Sequence, residues 1–181
     1  SSPRGRSSWL SRAVLPPPHD GIQPGRPRPC RGDGASAGGL DAIQELISHL
    51  QVAGNIAYII AQHLAPDHPS QLADLLVRST RLKVVRAANG MALEPGQIVV
   101  LPPNGDATVE VGILCIREPQ PRFGPSPSID LLFTSVADHW GDRAVAVVLS
   151  GTGSDGACGL RAVAAAGGLT LVQSPQSARF D

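Results

Sequence analysis

The chain has 181 residues, which suits one domain with a buried core, and 42% of them are hydrophobic. No uninterrupted apolar run approaches the ~20 residues that span a bilayer, which argues against membrane insertion. The formal net charge is zero, but residues 1–33 carry six arginines against Asp20 and Asp33, so the remainder is mildly acidic and does not favour nucleic acid as a partner.

The cysteines are three, Cys30, Cys115 and Cys158. Their odd number and the lack of CxxC spacing indicate neither a disulfide framework nor a zinc site. This usage favours a reducing compartment, and we expect a cytoplasmic protein.

Residues 1–33 are rich in Arg, Ser, Pro and Gly, and the clusters at 16–18 and 25–29 resist regular structure. We expect this segment to be disordered or foreign to the domain that follows. The domain itself is expected over residues 34–181.

The first helix and strand follow Gly34. Apolar residues recur with helical spacing over Leu40–Leu50 and predict a helix, and the run Ile56–Ala61 predicts a buried strand that ends at Gln62 and His63. A second helix is predicted after Pro69, with Ser70 as its cap and three leucines inward, followed by a short strand at Lys83–Val85. Those leucines are Leu72, Leu75 and Leu76.

The middle of the chain has strands between turn signals. Turns at 94–96 and 104–105 bracket Gln97–Leu101, and the strands 108–111 and 113–116 follow. This pattern predicts an antiparallel addition to the main sheet.

The α/β alternation resumes after a proline-broken loop at 119–127. Ser128 is predicted to cap a helix that turns Ile129, Leu132, Phe133, Val136 and Trp140 inward. A central parallel strand is predicted at 144–149, then the glycine-rich loop 150–156, a helix at 160–166 that Gly167 and Gly168 end, and a last strand at 169–172.

Strands that alternate with helices predict an α/β fold, a mostly parallel, doubly wound sheet flanked by helices, with an antiparallel hairpin addition. Ligands bind such sheets beyond the carboxyl ends of the strands. His63 closes one predicted strand, Asp155 lies in the loop after another, and Ser36 precedes the first helix. These three residues are therefore expected at one edge of the sheet.

Ser36 lies in the turn Gly34–Gly39, whose small residues allow a sharp bend and close approach of a substrate. The helix behind it supplies unpaired N–H groups that suit an anionic intermediate. Gly-x-Ser-x-Gly alone is also typical of an ordinary turn. Ser36 becomes a candidate nucleophile only together with a base and a carboxylate.

His63 and Asp155 can supply those groups. An imidazole takes the proton of a serine near neutral pH, and a carboxylate fixes the imidazole tautomer. Ser36, His63 and Asp155 fill the roles of nucleophile, base and orienting acid in that order. The oxyanion donors would be the backbone N–H of Ala37 and a second N–H from the loop around Thr152.

Each assignment has an alternative. His68 competes with His63 as the base, and Asp155 before Gly156 also fits an Asx turn or the N-cap of the following helix. A metal site at His63 and His68 lacks further ligands. A phosphate cradle lacks the GxxxxGK[ST] lysine, since Lys83 is the single lysine.

Four motifs occur in order along the chain: Gly-Ala-Ser-Ala-Gly-Gly at 34–39, Gln-His-Leu-Ala-Pro at 62–66, Pro-Ser-Ile-Asp-Leu-Leu-Phe at 127–133 and Ser-Gly-Thr-Gly-Ser-Asp-Gly-Ala at 150–157. Together they resemble the catalytic domain of the bacterial chemotaxis protein-glutamate methylesterase, CheB. The resemblance runs from about Gly34 to Asp181.

The resemblance implies a Ser-His-Asp hydrolase that demethylates glutamate methyl esters on chemoreceptor cytoplasmic helices, releases methanol and also deamidates receptor glutamines. It carries over Ser36 as nucleophile, His63 as base and Asp155 as acid, and it implies no cofactor. Residues 1–33 are too few for a receiver domain, which resembles the arrangement in which the esterase is fused to a methyltransferase. The family also continues into a further helix beyond Asp181, so we expect a C-terminally truncated domain.

One departure from the family concerns the strand before the turn. The family has an apolar strand there, whereas this chain has Pro-Cys-Arg-Gly-Asp at 29–33, which we expect not to form a buried central strand. The alternative hypothesis is therefore a catalytically impaired methylesterase-like domain that acts as a binding or regulatory module. A small-molecule esterase with the same triad is a third.

Overall fold

The computed structural model describes residues 10–13, 30–32, 39–50, 55–63, 71–103, 105–117, 127–149 and 154–174. In chain order the elements are β1 (Leu10–Ala13), β2 (Cys30–Gly32), α1 (Gly39–Ser48), β3 (Ala57–Gln62), α2 (Leu72–Val77), β4 (Lys83–Arg86), β5 (Met91–Ala92), β6 (Gln97–Val100), β7 (Asp106–Glu110), β8 (Ile113–Arg117), α3 (Ile129–Trp140), a 3₁₀ turn (Gly141–Arg143), β9 (Val145–Leu149), α4 (Ala157–Ala165) and β10 (Leu169–Val172).

The main sheet has seven strands within this part of the chain. The order across it is β10, β9, then β1 and β2 in one position, then β3, β6 and β4. Every pair is parallel except those that β1 makes. The predicted α/β fold with a mostly parallel sheet is therefore confirmed.

The burial of the interior strands explains why the sheet is mostly parallel and covered on both faces. All five residues of β9 and the first five of β3 are buried, so these strands face packed side chains on both sides. An unbroken apolar run can be stable in this setting, whereas a strand with one wet face would alternate apolar and polar residues. The predicted strands at 56–61 and 144–149 are confirmed.

Strand β6 differs from the prediction. Residues 97–100 pair in parallel with β3 and β4, so they belong to the main sheet and not to the antiparallel addition. All four are buried, which is the pattern of an interior parallel strand. The turn signals on either side obscured that pattern in the sequence.

The antiparallel addition is a separate sheet of three strands in the order β5, β8, β7. The hairpin of β7 and β8 pairs Asp106 with Arg117 and Glu110 with Ile113. It turns at Val111 and Gly112, both with positive φ. This hairpin lies where the sequence predicted it.

Two short strands, β1 and β2, lie within residues 1–33, the segment that the sequence predicted to be disordered or foreign. Both lie between β3 and β9, where β2 runs parallel to its neighbours and β1 antiparallel. Because β3 and β9 each present backbone N–H and C=O groups to this position, a short segment can pair there without an apolar side-chain pattern. Cys30–Gly32 therefore form a strand between β3 and β9, which corrects the expectation that no central strand forms at this point of the chain.

The helices follow the predicted apolar faces. Ile43 and Ile47 of α1 are fully buried, as are Leu132, Phe133 and Val136 of α3. In α2 the N-cap is Gln71, which makes no side-chain capping bond, so the prediction of Ser70 as the cap is wrong. The helix therefore begins at Leu72, one residue later than a cap at Ser70 would place it. None of the helices described here is long and apolar enough to cross a membrane.

Helices α3 and α4 pack closely at Gly159. A Cβ atom placed on Gly159 would lie 2.5 Å from the Cβ of Phe133 and 3.2 Å from the Cα of Asp130. Only glycine fits this distance, since real Cβ atoms do not approach so closely. The N-terminal ends of the two helices therefore lie side by side.

Candidate active site

His63 and Asp155 lie in contact at the carboxyl edge of the main sheet. His63 directly follows β3, and Asp155 follows β9 and precedes α4. The Nε2 atom of His63 lies 3.1 Å from Oδ2 of Asp155, with side chains 5% and 10% exposed. Two residues that are far apart in the chain thus form a largely buried pair, as expected for strands that end at one edge.

The carbonyl oxygen of Pro127 is a second neighbour of the same ring nitrogen. It lies 2.7 Å from Nε2 of His63. A carbonyl oxygen and a carboxylate can only accept, so Nε2 carries the hydrogen and donates to both. In the neutral ring the lone pair is therefore on Nδ1, which is the atom able to take up a proton.

The N-terminus of α3 holds the Asp155 carboxylate. The N–H of Ile129 donates to Oδ2 at 2.8 Å and the N–H of Asp130 donates to Oδ1 at 3.0 Å. Burial alone would raise the pKa of Asp155, but hydrogen bonds from His63 and from these two N–H groups outweigh it and lower the pKa. The positive end of the helix dipole acts in the same direction.

The same helix end is fixed by further hydrogen bonds. Ser128 is the N-cap of α3, and its Oγ accepts from the N–H of Leu131 at 3.3 Å, as the sequence predicted. The N–H of Ser128 donates to Oδ1 of Asp106 at 2.9 Å. Asp106 is the first residue of β7, so the small antiparallel sheet helps to hold the end of α3 that carries Pro127.

The N-cap of α4 is Gly156, in a left-handed conformation, and not Asp155. Asp155 instead binds the N-terminus of the neighbouring helix α3 and the imidazole of His63.

Two other histidines lie away from this pair. His49 is exposed after α1, and His139 lies on α3. Within the described ranges, no group of three His, Cys, Asp or Glu side chains could hold a metal ion.

Several predicted site residues lie outside the described part of the chain. They are Ser36, Ala37, Thr152 and the competing base His68. Ser36 lies in the part of the chain between β2, which ends at Gly32, and α1, which begins at Gly39. The roles of these residues stay predictions.

Sequence reasoning missed Pro127, Asp106 and Asp130 as parts of the site. A backbone carbonyl leaves no sequence signal, because any residue type supplies one. Asp130 did carry a signal, since an acidic residue in the first turn of a helix interacts favourably with the dipole. Nothing in the sequence indicated that its carboxylate would reach a second helix.

Comparisons with known proteins agree with this geometry. A family model described as CheB methylesterase matches residues 33–181. A protein-glutamate methylesterase/protein-glutamine glutaminase of Anaeromyxobacter dehalogenans is 37% identical over 153 residues, which cover 80% of this chain and 44% of the relative. One of the same name from Caulobacter vibrioides is 40% identical over 151 residues, covering 80% and 43%.

The fold is also found in a solved structure. The crystal structure of the Thermotoga maritima CheB methylesterase catalytic domain matches with a TM-score of 0.75 and 22% identity, covering 85% of this chain and 83% of that one. The chain spans less than half the length of the two curated relatives that it matches.

Proposed function

Because the chain belongs to the CheB methylesterase family, we propose that it hydrolyses methyl esters of glutamate side chains in proteins and deamidates glutamines by the same route. The observation that carries the proposal is the buried contact between His63 and Asp155 at the carboxyl edge of the sheet. A His–Asp pair is the part of a hydrolase that activates a serine. The relatives' names contain both activities.

The proposed nucleophile is Ser36. Nδ1 of His63 takes the proton of the serine hydroxyl as Oγ attacks the ester carbonyl, and Asp155 stabilises the imidazolium through Nε2–H. The backbone N–H of Ala37 and one from the loop around Thr152 would donate to the oxyanion. The support for Ser36 is its place among the small residues at 34–39, in the sequence just ahead of α1.

The reaction then proceeds in two stages. In the first, the tetrahedral intermediate collapses, the imidazolium gives its proton to the leaving methoxide, and methanol departs from the acyl-enzyme. In the second, His63 takes a proton from water, the hydroxide attacks the acyl carbon, and glutamate leaves as Ser36 regains its proton. With a glutamine the leaving group is ammonia, and the second stage is unchanged.

The proposed substrates are methylated glutamates on the cytoplasmic helices of chemoreceptors, which sets the reaction in the cytoplasm. A methyltransferase produces this ester, so a methyltransferase domain in the same polypeptide would be a natural partner. The mildly acidic balance of the chain after residue 33 supports a protein substrate and not a nucleic acid.

A second candidate function is a binding or regulatory module with an impaired triad. The observation that favours it is the strand beneath the proposed nucleophile: β2 has three residues and shares its position in the sheet with the antiparallel β1. A short support could leave Ser36 misplaced relative to His63, and small displacements of a nucleophile are costly.

Methanol release from a methylated chemoreceptor fragment tests the proposal. We expect release by the wild-type protein, none by Ser36→Ala, and a loss of about 10³-fold or more in His63→Gln. His68→Ala is the matched control, because it removes the competing imidazole, and it should keep the wild-type rate.

Two results would contradict the triad assignment. A folded wild-type protein that binds the receptor fragment without releasing methanol would favour the binding module. If His68→Ala abolished activity and His63→Gln did not, the base would have to be reassigned.

A further inference from the structure

Asp130 makes two hydrogen bonds that tie α3 to α4. Its Oδ1 atom accepts from the N–H of Gly156 at 2.9 Å and from the N–H of Gly159 at 2.7 Å. Gly156 is the N-cap of α4 and Gly159 its third residue. One carboxylate oxygen from α3 thus binds two of the N–H groups that a helix start leaves without internal partners.

Helix α4 cannot bind these two groups with its own side chains. In a capping box the side chain of the N-cap residue accepts from the N–H of the third residue, and the side chain of the third residue accepts from the N–H of the N-cap. Here both positions are glycine. A larger residue does not fit at Gly159 for a steric reason, since a Cβ there would lie 2.5 Å from the Cβ of Phe133. Asp130 therefore replaces both side chains of a capping box.

The hydrogen bonds of Asp130 and Asp155 form a closed ring. Asp155 accepts from the backbone N–H of Asp130 at 3.0 Å, and Asp130 accepts from the N–H of Gly156, the residue directly after Asp155. Each aspartate thus binds the N-terminus of the helix to which the other is attached. The position of the Asp155 carboxylate depends on the peptide group that Asp130 holds.

We propose that Asp130 is a positioning residue for the reaction. It fixes the peptide after Asp155 and thereby holds the Asp155 carboxylate against Nε2 of His63. The inference rests on the proposed function for its activity readout. We attribute this role to the position of the acceptor oxygen Oδ1 more than to the negative charge of the side chain, because both hydrogen bonds end on this one atom.

Two substitutions separate acceptor position from charge. Asp130→Asn keeps an oxygen at the Oδ1 position and removes the charge, whereas Asp130→Glu keeps the charge and moves the oxygens by one methylene. We expect kcat for methanol release to stay within about threefold of wild type in Asp130→Asn and to fall by about tenfold or more in Asp130→Glu, since small displacements of catalytic groups cost this much. KM should change little in either variant.

Asp138→Asn and Asp138→Glu are the matched controls. They make the same changes at an exposed position of the same helix and should leave kcat unchanged. If Asp130→Glu fails to fold, Asp130→Ser takes its place, because its short side chain does not reach both N–H groups, and the same loss is expected.

The proton NMR signal of the His63 Nε2–H gives a readout that needs no substrate. We expect it to keep its position in Asp130→Asn and to shift upfield or disappear in Asp130→Glu, as the hydrogen bond to Asp155 weakens. If the wild type releases no methanol and the signal behaves in this way, the proposed function fails and the positioning role stands.

Three outcomes would overturn the inference. One is an Asp130→Glu variant that is more active than Asp130→Asn. Another is equal losses of activity in the two variants. The last is a fall in thermal stability in Asp130→Glu with wild-type kcat and an unchanged His63 signal, which is the behaviour of a helix cap that only stabilises the fold.

Discussion

At the scale of single residues, three N–H groups converge on the Asp155 carboxylate. They belong to Ile129, Asp130 and the His63 ring, and together they contact both oxygens. An amide at this position must turn its NH₂ group toward one of these donors. These three donors therefore require a side chain at residue 155 that only accepts hydrogen bonds, as the ionised carboxylate does.

Asp155→Asn should lower the free energy of unfolding by about 1–3 kcal/mol at neutral pH, because a donor is left facing a donor in a buried site. The pKa of Asp155 is lowered in the folded protein, so the unfolded chain binds the proton more readily. The stability that Asp155 supplies is fully present above the ordinary carboxyl pKa of about 3.9 and is lost as the pH falls through the lower folded value.

Urea unfolding from pH 7 to pH 2 measures this effect. The stability difference between wild type and Asp155→Asn should shrink toward low pH. Asp138→Asn removes the same charge from an exposed position of α3 and controls for net charge. A difference that stays constant over the whole range would show that the folded site does not favour the ionised carboxylate.

The sequence allowed His63 and Asp155 to be predicted as neighbours because each follows an apolar strand of a parallel sheet. It could not show which groups would surround them. The contact of His63 with the Pro127 carbonyl depends on the path of the backbone before α3. The choice between Asp155 as a cap of α4 and as a partner of His63 likewise depends on how the two helices pack.

At the scale of elements, the close approach of α3 and α4 gives a prediction for Gly159. Alanine has a higher helix propensity than glycine by about 1 kcal/mol, which alone would stabilise α4. The contact of 2.5 Å with the Cβ of Phe133 acts against this, and Cβ is not the free end of a flexible side chain. We expect Gly159→Ala to destabilise the protein by about 1–3 kcal/mol, as overpacking does.

Thermal unfolding of Gly159→Ala and of Cys158→Ala tests the packing. Cys158 is the exposed neighbour on the same helix, and its change to alanine should stay within about 0.5 kcal/mol of wild type. An increase in stability in Gly159→Ala would mean that the two helices separate readily at this point.

Most elements could be predicted because their apolar residues repeat with one clear period. The helix over 129–140 is an example, since its buried residues and its Ser128 cap are both local features. Strand β6 was assigned to the wrong sheet because local sequence does not show which strands it pairs with. Its partners β3 and β4 lie beside it only in the tertiary fold. The N-cap of α2 was misplaced by one residue because a serine after a proline is a strong but purely local signal.

At the scale of the whole molecule, the position between β3 and β9 is filled by two short strands. Leu10–Ala13 pairs with residues 60–62 of β3 and 146–149 of β9, and Cys30–Gly32 pairs with residues 57–59 and 145–146. The sequence could not predict this arrangement, because backbone pairing does not require an apolar pattern. Among the strands that the structure describes, these two segments together join β3 to β9.

Deletion of residues 1–13 should therefore remove the strand that pairs with the carboxyl-terminal residues of β3 and β9. We expect faster hydrogen exchange at amides of 60–62 and 147–149 that face it, because they lose their backbone acceptors. Amides of β6, which pairs with β3 and β4 farther along the sheet, should stay protected and serve as the internal control. Unchanged exchange in both sets would mean that β1 adds nothing to the stability of its neighbours.

The hydrogen bonds of His63 and Asp155 join distant parts of the chain, which affects the order of steps in folding. His63 and Pro127 are 64 residues apart in the chain, whereas Asp155 is 26 residues from Ile129. Closing the shorter loop costs less chain entropy, so the α3–α4 unit with Asp155 can assemble early, and His63 joins it only when β3 has entered the sheet. Recovery of activity after dilution from denaturant would then report the last long-range step of folding and would lag behind the recovery of helix.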